Sequence, residues 1–279
     1  MEVACSTASD SSEGSVLAFG ASETNILSRM RTLLVALSPL ILLGAGTAVS
    51  SRIAFVRVAA AAGEPQIFIA AADGADEHRL PGISDTDASA NYDAVWAPDG
   101  KSIVFTSERA GSADLYRVNP DGSGLKRLTT DPAYDDQAAF SPDGERLAFV
   151  STREGGVANL WTLNLGTLRA KRLTSGAGGD FRPAWSPDGR WIAFASGRGK
   201  TPPFAEGRWE RLQPAEIYII HPDGSGLKKV TASDNFCGSP KWMADSRRVV
   251  TYCMTAQQTL PNRVTKPVYG RDSGGTGAG

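Results

Sequence analysis

The sequence predicts an all-β protein, a β-propeller of four-stranded blades. Three observations carry that prediction: a turn motif that recurs in register, strand patterns of fixed type between the turns, and the lack of helical periodicity. The motif is an aromatic residue followed by small-Pro-Asp-Gly. It stands at Trp96-Ala97-Pro98-Asp99-Gly100, at Phe140-Ser141-Pro142-Asp143-Gly144 and at Trp185-Ser186-Pro187-Asp188-Gly189. A decayed copy is Trp242-Met243-Ala244-Asp245-Ser246. The intervals of 44, 45 and 57 residues fit the roughly 40–50 residues of a propeller blade, the last one lengthened by an insertion.

The chain opens with residues 1–29, which have no period and are expected to be a disordered leader, with Met30 an alternative start. Residues 30–48 read as a signal peptide. Arg29 and Arg31 supply the positive flank, Leu33 to Leu43 the apolar centre, and Gly46-Thr47-Ala48 the small residues before cleavage. An uncleaved anchor is the other reading, since Thr32 to Val49 is near the lower limit of about 17 residues for a spanning helix. Pro39 and the Gly-Ala-Gly ending favour cleavage.

Residues 49–253 hold the repeats. Unit one lacks strand A and has Arg52-Ile53-Ala54-Phe55 as strand B, Gln66-Ile67-Phe68-Ile69 as strand C and His78-Arg79-Leu80 as strand D. Units two to four are complete. In the fourth, Pro183 to Ser186 is strand A, Trp191 to Ala195 strand B, Glu216 to Ile220 strand C and Leu227 to Thr231 strand D. Strand B keeps an apolar pattern in Ile103-Val104-Phe105, Leu147-Ala148-Phe149 and Ile192-Ala193-Phe194, as suits a strand between packed blades. In the A–B turns Pro presets the first corner and Gly takes the left-handed position. The C–D turns repeat that chemistry at Asn119-Pro120-Asp121-Gly122 and His221-Pro222-Asp223-Gly224. Unit five stops after strand B near Cys253, and residues 254–279 form a Gly-, Ser- and Thr-containing tail. Three complete blades and two partial ones predict an incomplete or truncated ring with exposed blade edges. The alternative is a closed ring of four in which Gly238 to Trp242 supplies the strand A missing from unit one.

The repeats resemble the TolB-like family of β-propellers, whose unit reads aromatic-Ser-Pro-Asp-Gly, then Ile-Ala-Phe, Ile-Tyr, Asp-Gly and Leu-Thr. The strand D signature is present as Arg127-Leu128-Thr129, Arg172-Leu173-Thr174 and Lys229-Val230-Thr231, and the resemblance covers about residues 52 to 253. It implies a binding propeller with a protein or peptide partner and a periplasmic envelope role. TolB members close a ring of six blades and carry a separate N-terminal domain, for which this sequence shows no counterpart.

Composition and residue types narrow the function classes. With 29 basic and 30 acidic residues and a net charge of -1, the chain lacks the broad basic surface of a nucleic-acid binder. Only two histidines occur, His78 and His221, both at the C–D part of their units. With the two cysteines of the repeats they make four, but they are scattered along the chain rather than spaced as a tetrahedral metal set, so no metal and no cofactor is expected. The Asp-Gly turns lack the spaced oxygen ligands of a calcium loop. Asp272-Ser273-Gly274-Gly275 resembles a serine-protease nucleophile segment but stands in the tail, where no base or oxyanion hole is held for it. A non-catalytic scaffold is therefore expected. The rival is the propeller part of a prolyl-oligopeptidase-like hydrolase or of a uronide lyase.

Candidate partner-binding residues sit in the D–A and B–C loops, which vary while the other turns are uniform. The D–A loops offer Tyr92-Asp93, Tyr134-Asp135-Asp136, Asp180-Phe181-Arg182 and Asp234-Asn235-Phe236, an acid beside an aromatic in each. Such acids either contact a partner or stiffen the loop through backbone amides. Arg109, Arg153 and Arg198 recur as Ser-x-Arg after strand B, and pair with those acids or bind a ligand. The insertion from Gly199 to Pro214 adds Arg208 and Trp209, residue types enriched at interaction hot spots.

Cys237 and Cys253 are a disulfide candidate. A bulged turn that sets Met243 opposite Arg247 also sets Cys237 opposite Cys253, at a hydrogen-bonded pair with Cα atoms about 4.5–5.5 Å apart. An exported protein meets an oxidising compartment in which the bond persists. Two buried thiols are the alternative, and Cys5 is expected outside the fold.

Overall fold

The computed structural model describes residues 2–6, 51–58, 64–83, 89–199, 215–231 and 236–254. The expected signal segment, the insertion beyond Gly199 and the tail from residue 255 lie outside the described residues. The first strand, β1 (Glu2–Ser6), precedes five sheets that follow the repeat units. Unit one gives β2 (Arg52–Arg57), β3 (Gln66–Ala71) and β4 (His78–Arg79), paired in that order. Unit two gives β5 (Asn91–Trp96), β6 (Ile103–Ser107), β7 (Asp114–Val118) and β8 (Lys126–Arg127). Unit three gives β9 (Asp135–Phe140), β10 (Arg146–Ser151), β11 (Asn159–Asn164) and β12 (Ala170–Arg172). Unit four gives β13 (Asp180–Trp185), β14 (Ile192–Ser196), β15 (Glu216–Ile220) and β16 (Lys228–Lys229). Unit five gives β17 (Phe236–Trp242) and β18 (Arg248–Met254). Units two to four are antiparallel meanders of four strands, and strand A of unit four begins at Asp180, three residues before the expected Pro183.

Strand B is the centre of each blade. Phe105, Phe149 and Phe194 on it are fully buried, and its alternate residues face opposite neighbours. Thus Leu147 and Phe149 pack towards unit two with Val104, Leu115 and Trp161. Ala148 and Val150 pack towards unit four with Ile192 and Phe194. Ile67, Ile69, Ile103 and Phe105 join units one and two, and Ala193, Ile217, Val249 and the two cysteines join units four and five. The core is therefore a row of layers between sheets. Each seam is also bonded through backbone: the amides of Asn91, Asp135, Asp180 and Cys237 donate to the carbonyls of Pro65, Ala113, Ala158 and Ala215 at 2.8–2.9 Å.

The sheets stack in chain order, and no strand of the fifth packs on the first as neighbours do. The arc is open among the described residues, as the partial blades predicted. Among the described residues β18 receives no antiparallel strand C. Its outer edge pairs instead with β1 in parallel, Glu2 opposite Arg248 and Cys5 opposite Thr251. The leader thus contributes a strand to the fifth sheet, and the expectation that Cys5 lies outside the fold is corrected by that pairing.

The turn and strand motifs have specific work. In the A–B turns Gly100, Gly144 and Gly189 adopt φ of 68–72°, the left-handed region that favours glycine. Ser246 takes the same conformation at φ 54° in unit five. Turn acids fix the corner by accepting from the amide two residues on, as Asp143 does from Glu145 at 3.0 Å and Asp188 from Arg190 at 3.1 Å. The threonine of each strand D signature accepts an amide of strand C: Thr129 from Leu115, Thr174 from Leu160 and Thr231 from Ile217, at 2.8–3.0 Å.

Candidate functional site

The D–A and B–C loops meet where strand A begins and strand B ends, because Asp135 stands opposite Ser151, Asp180 opposite Ser196 and Asn91 opposite Ser107. Two residues beyond each serine is the recurrent arginine. Arg153 Nε donates to Ser151 Oγ at 2.9 Å and its Nη2 to Asp135 Oδ2 at 2.6 Å. Arg198 repeats this with Ser196 at 2.8 Å and Asp180 at 2.6 Å. Arg109 does so with Ser107 at 2.9 Å and the neutral Asn91 Oδ1 at 3.0 Å. Each guanidinium lies over two rings contributed by strands B and C. The pairs are Phe105 and Tyr116, Phe149 and Trp161, and Phe194 and Tyr218, at 4.8–5.7 Å from the ring centroids. The result is a clasp that ties the ends of strands A, B and C together at the rim.

Asp135 and Asp180 are buried within this clasp. Burial pushes the Asp135 carboxyl up from its ordinary range, and the bonds from Arg153 and Ser151 oppose that shift. Asp136 is buried too, accepts from Thr106 Oγ1 of the preceding blade at 2.6 Å, and has an unpartnered Oδ2. Burial first, and the Asp93 charge second, hold its carboxyl well above the usual range. These three acids were candidates for partner contact. The structure corrects that expectation, because their carboxylates face inward and fasten the rim.

The other candidates divide. Tyr134 is 41% exposed and Arg182 is exposed, both on the rim. Tyr92 is half-buried and donates to Glu108 Oε1 at 3.1 Å. Arg208, Trp209 and Asn235 lie outside the described residues, and Phe236 is placed only as the first residue of β17. Among the described residues no group of three or more His, Cys, Asp or Glu gathers as a metal site would require. His221 stacks on Trp191 at 3.7 Å and bonds the Arg190 carbonyl, and His78 bonds the Asp76 carbonyl, both away from the rim.

Unit five replaces the clasp covalently. Cys237 and Cys253 form a disulfide with Cα atoms 4.1 Å apart, at the positions that Asp135 and Ser151 hold in unit three. Its rings are missing too, since Thr251 stands where Phe149 does. The Cys237 amide donates to Ala215 rather than to Cys253. The pair is therefore a non-hydrogen-bonded one, which corrects the expected hydrogen-bonded site and explains the close approach.

What sequence reasoning missed is the bulge. Asp93, Gln137, Arg182 and Ser239 occupy the third or fourth place of strand A with φ of 48–55°. Each marks a shift in the pairing with strand B. None is glycine, so no local signal announced them. Two of them also link units three and four, for Gln137 Oε1 accepts from Arg182 N at 2.8 Å.

A family model described as the TolB beta propeller domain matches residues 135–266. A protein TolB homolog of Chlorobium luteolum is 36% identical over 77 residues, 28% of this chain and 17% of that protein. The Bacillus subtilis "uncharacterized peptidase YuxL" is 40% identical over 65 residues, 23% of this chain and 10% of that one. The chain thus matches less than a fifth of the length of these relatives. The crystal structure of TolB from Acinetobacter baumannii is similar at a TM-score of 0.60 and 23% identity, over 72% of this chain and 46% of that one. Putative TolB from Agrobacterium tumefaciens is similar at a TM-score of 0.53 and 24% identity, over 64% and 60%. Both likenesses show the blade fold. Residues 135–266 thus match the TolB beta propeller domain, and the repeats and sheets on either side share the blade fold of the TolB-like β-propellers.

Proposed function

We propose that this protein is an exported, non-catalytic propeller scaffold that presents its D–A and B–C loops to a protein or peptide partner in the cell envelope, its mature form starting after residue 48 and so without β1. The observation that carries this reading is the division of the rim. Its repeated acids and arginines are engaged in clasps that hold the loop bases rigid, while Tyr134 and Arg182 stand exposed between them. A rigid base under varied loops is the arrangement recognition requires. The insertion with Arg208 and Trp209, and the loop with Asn235, belong to the same proposed face by their place in the repeat. The name "Tol-Pal system protein TolB" carried by an Anaeromyxobacter dehalogenans relative, 43% identical over 44 residues, supports an envelope role.

A second reading, the propeller part of a peptidase, is favoured by the match to YuxL. Two measurements separate them. The double variant Tyr134→Ala/Arg182→Ala is expected to lose at least tenfold in affinity for a partner captured from envelope extract and then purified, with an unchanged unfolding midpoint. Equal affinity would remove this face from the account. Turnover of aminoacyl or prolyl peptide substrates by the purified chain would favour the peptidase reading.

A further inference from the structure

The first sheet begins at strand B, so β2 is its inner edge, and among the described residues no strand pairs with that edge. The register shows which backbone groups are left over. Ser51 O accepts from Ala72 N, so Ile53, Phe55 and Arg57 bond β3, and the amides and carbonyls of Arg52, Ala54 and Val56 point away from it. Their counterparts in unit three are Arg146, Ala148 and Val150. Arg146 O accepts from Ser141 N, and Ala148 and Val150 stand opposite Ala139 and Asp136 of strand A. Val150 is 1% exposed and Val56 is 41% exposed.

A second feature marks the same edge. The Arg57 guanidinium lies 5.6 Å from the Phe55 ring and 5.1 Å from the Phe68 ring. Those rings hold the cross-strand positions of Phe149 and Trp161. Arg57 comes from two residues earlier than the clasp arginines, yet brings its charge over the same two rings. In units two to four that charge holds the first residue of strand A. In unit one it pairs with Glu77, through a half-exposed ion pair that a competing acid displaces easily.

We propose that the inner edge of β2 is a docking site for an extended segment of another polypeptide, which adds as the missing strand A. The segment runs antiparallel to β2, with Asp or Asn at its leading position beside Arg57 and Ala or Val four residues later against the second sheet. The strands that fill this place in units two to four define that chemistry: Asn91 with Val95, Asp135 with Ala139, and Asp180 with Ala184. Val95 and Ala139 pack on the following sheet. A second copy of β2 is a poor occupant, since it carries Arg52 and Arg57 and no acid, and two copies would set four cations on one ladder. The proposal does not depend on the rim reading, and the two fail separately.

The test uses the full chain and a fluorescein-labelled synthetic peptide of residues 133–141. Saturable binding by anisotropy is expected. It should weaken at least tenfold when the peptide is N-methylated at Ala139, whose amide faces strand B, and in Val56→Pro, which removes only an edge N–H. Tyr134→Ala should bind as the parent protein does. The N-methylated peptide keeps the test valid if Val56→Pro fails to fold. No saturable binding, or equal binding of the N-methylated peptide, would overturn the proposal. So would binding that appears only after residues 255–279 are removed, which would assign the edge to the tail. A dimer dissolved by Val56→Pro would assign it to a second copy and likewise overturn it.

Discussion

Arg153 acts at the residue scale by neutralising a carboxylate that water does not reach, and its removal should cost more than its replacement of partner. Arg153→Ala leaves Asp135 buried and unpaired, with an expected loss of about 3 kcal/mol, read as a lower urea midpoint at unchanged slope. Asp135→Asn should cost less than about 1 kcal/mol, because unit two makes the same clasp on Asn91. Asp136 gives a pH signature. Burial and the neighbouring Asp93 raise its carboxyl in the folded chain, so the folded state binds that proton more tightly than the unfolded state does. Its contribution to stability is then full below the ordinary value of about 3.9 and is lost as pH rises through the raised folded value. Asp136→Asn keeps an acceptor for Thr106 and adds a donor facing Asp93. It should raise the unfolding midpoint at pH 7 and flatten its decline above about pH 4. The turn acids Asp121, Asp223 and Asp245, lowered by local bonds, tilt stability the other way, so the measurement is the difference between variant and parent across pH.

The strand pairing is where sequence and structure part company. The motif located every A–B turn, but the expected pairing of Met243 with Arg247 is not found, since Met243 N donates to Arg248 O. The bulge at Ser239 then takes up one residue in strand A, so the two shifts cancel and Cys237 still meets Cys253. The disulfide was therefore legible while the register behind it was not, because a bulge built from Asp, Gln, Arg or Ser leaves no mark such as glycine would. The clasp was half legible. Ser-x-Arg and the acids were visible in the repeat, whereas the two rings beneath each arginine come from separate strands and meet only through pairing. At this scale the disulfide can be tested twice. Alkylation under denaturing conditions without reduction should leave Cys237 and Cys253 unlabelled. Cys253→Ser should cost about 3 kcal/mol, as expected for opening a loop of this length.

At the scale of the molecule, five sheets among the described residues stack through four apolar seams into an arc whose first and last sheets do not join there. The blade count was legible from the repeat, while the pairing of Glu2–Ser6 with β18 was not, since nothing in that segment carries the propeller pattern. Deleting Thr201 to Gln213, between strands B and C of unit four, should leave the thermal midpoint nearly unchanged and weaken partner capture. Unfolding of the deletion variant would make the segment structural. The arc of the described residues is open where a sealed propeller is closed, and amide hydrogen exchange reads that difference directly. In an open arc the amides of Ala54 and Val56 should exchange orders of magnitude faster than those of Ala148 and Val150, which stand opposite strand A. Equal protection at the two pairs would mean that a strand seals the first sheet in solution, and would contradict the open arc.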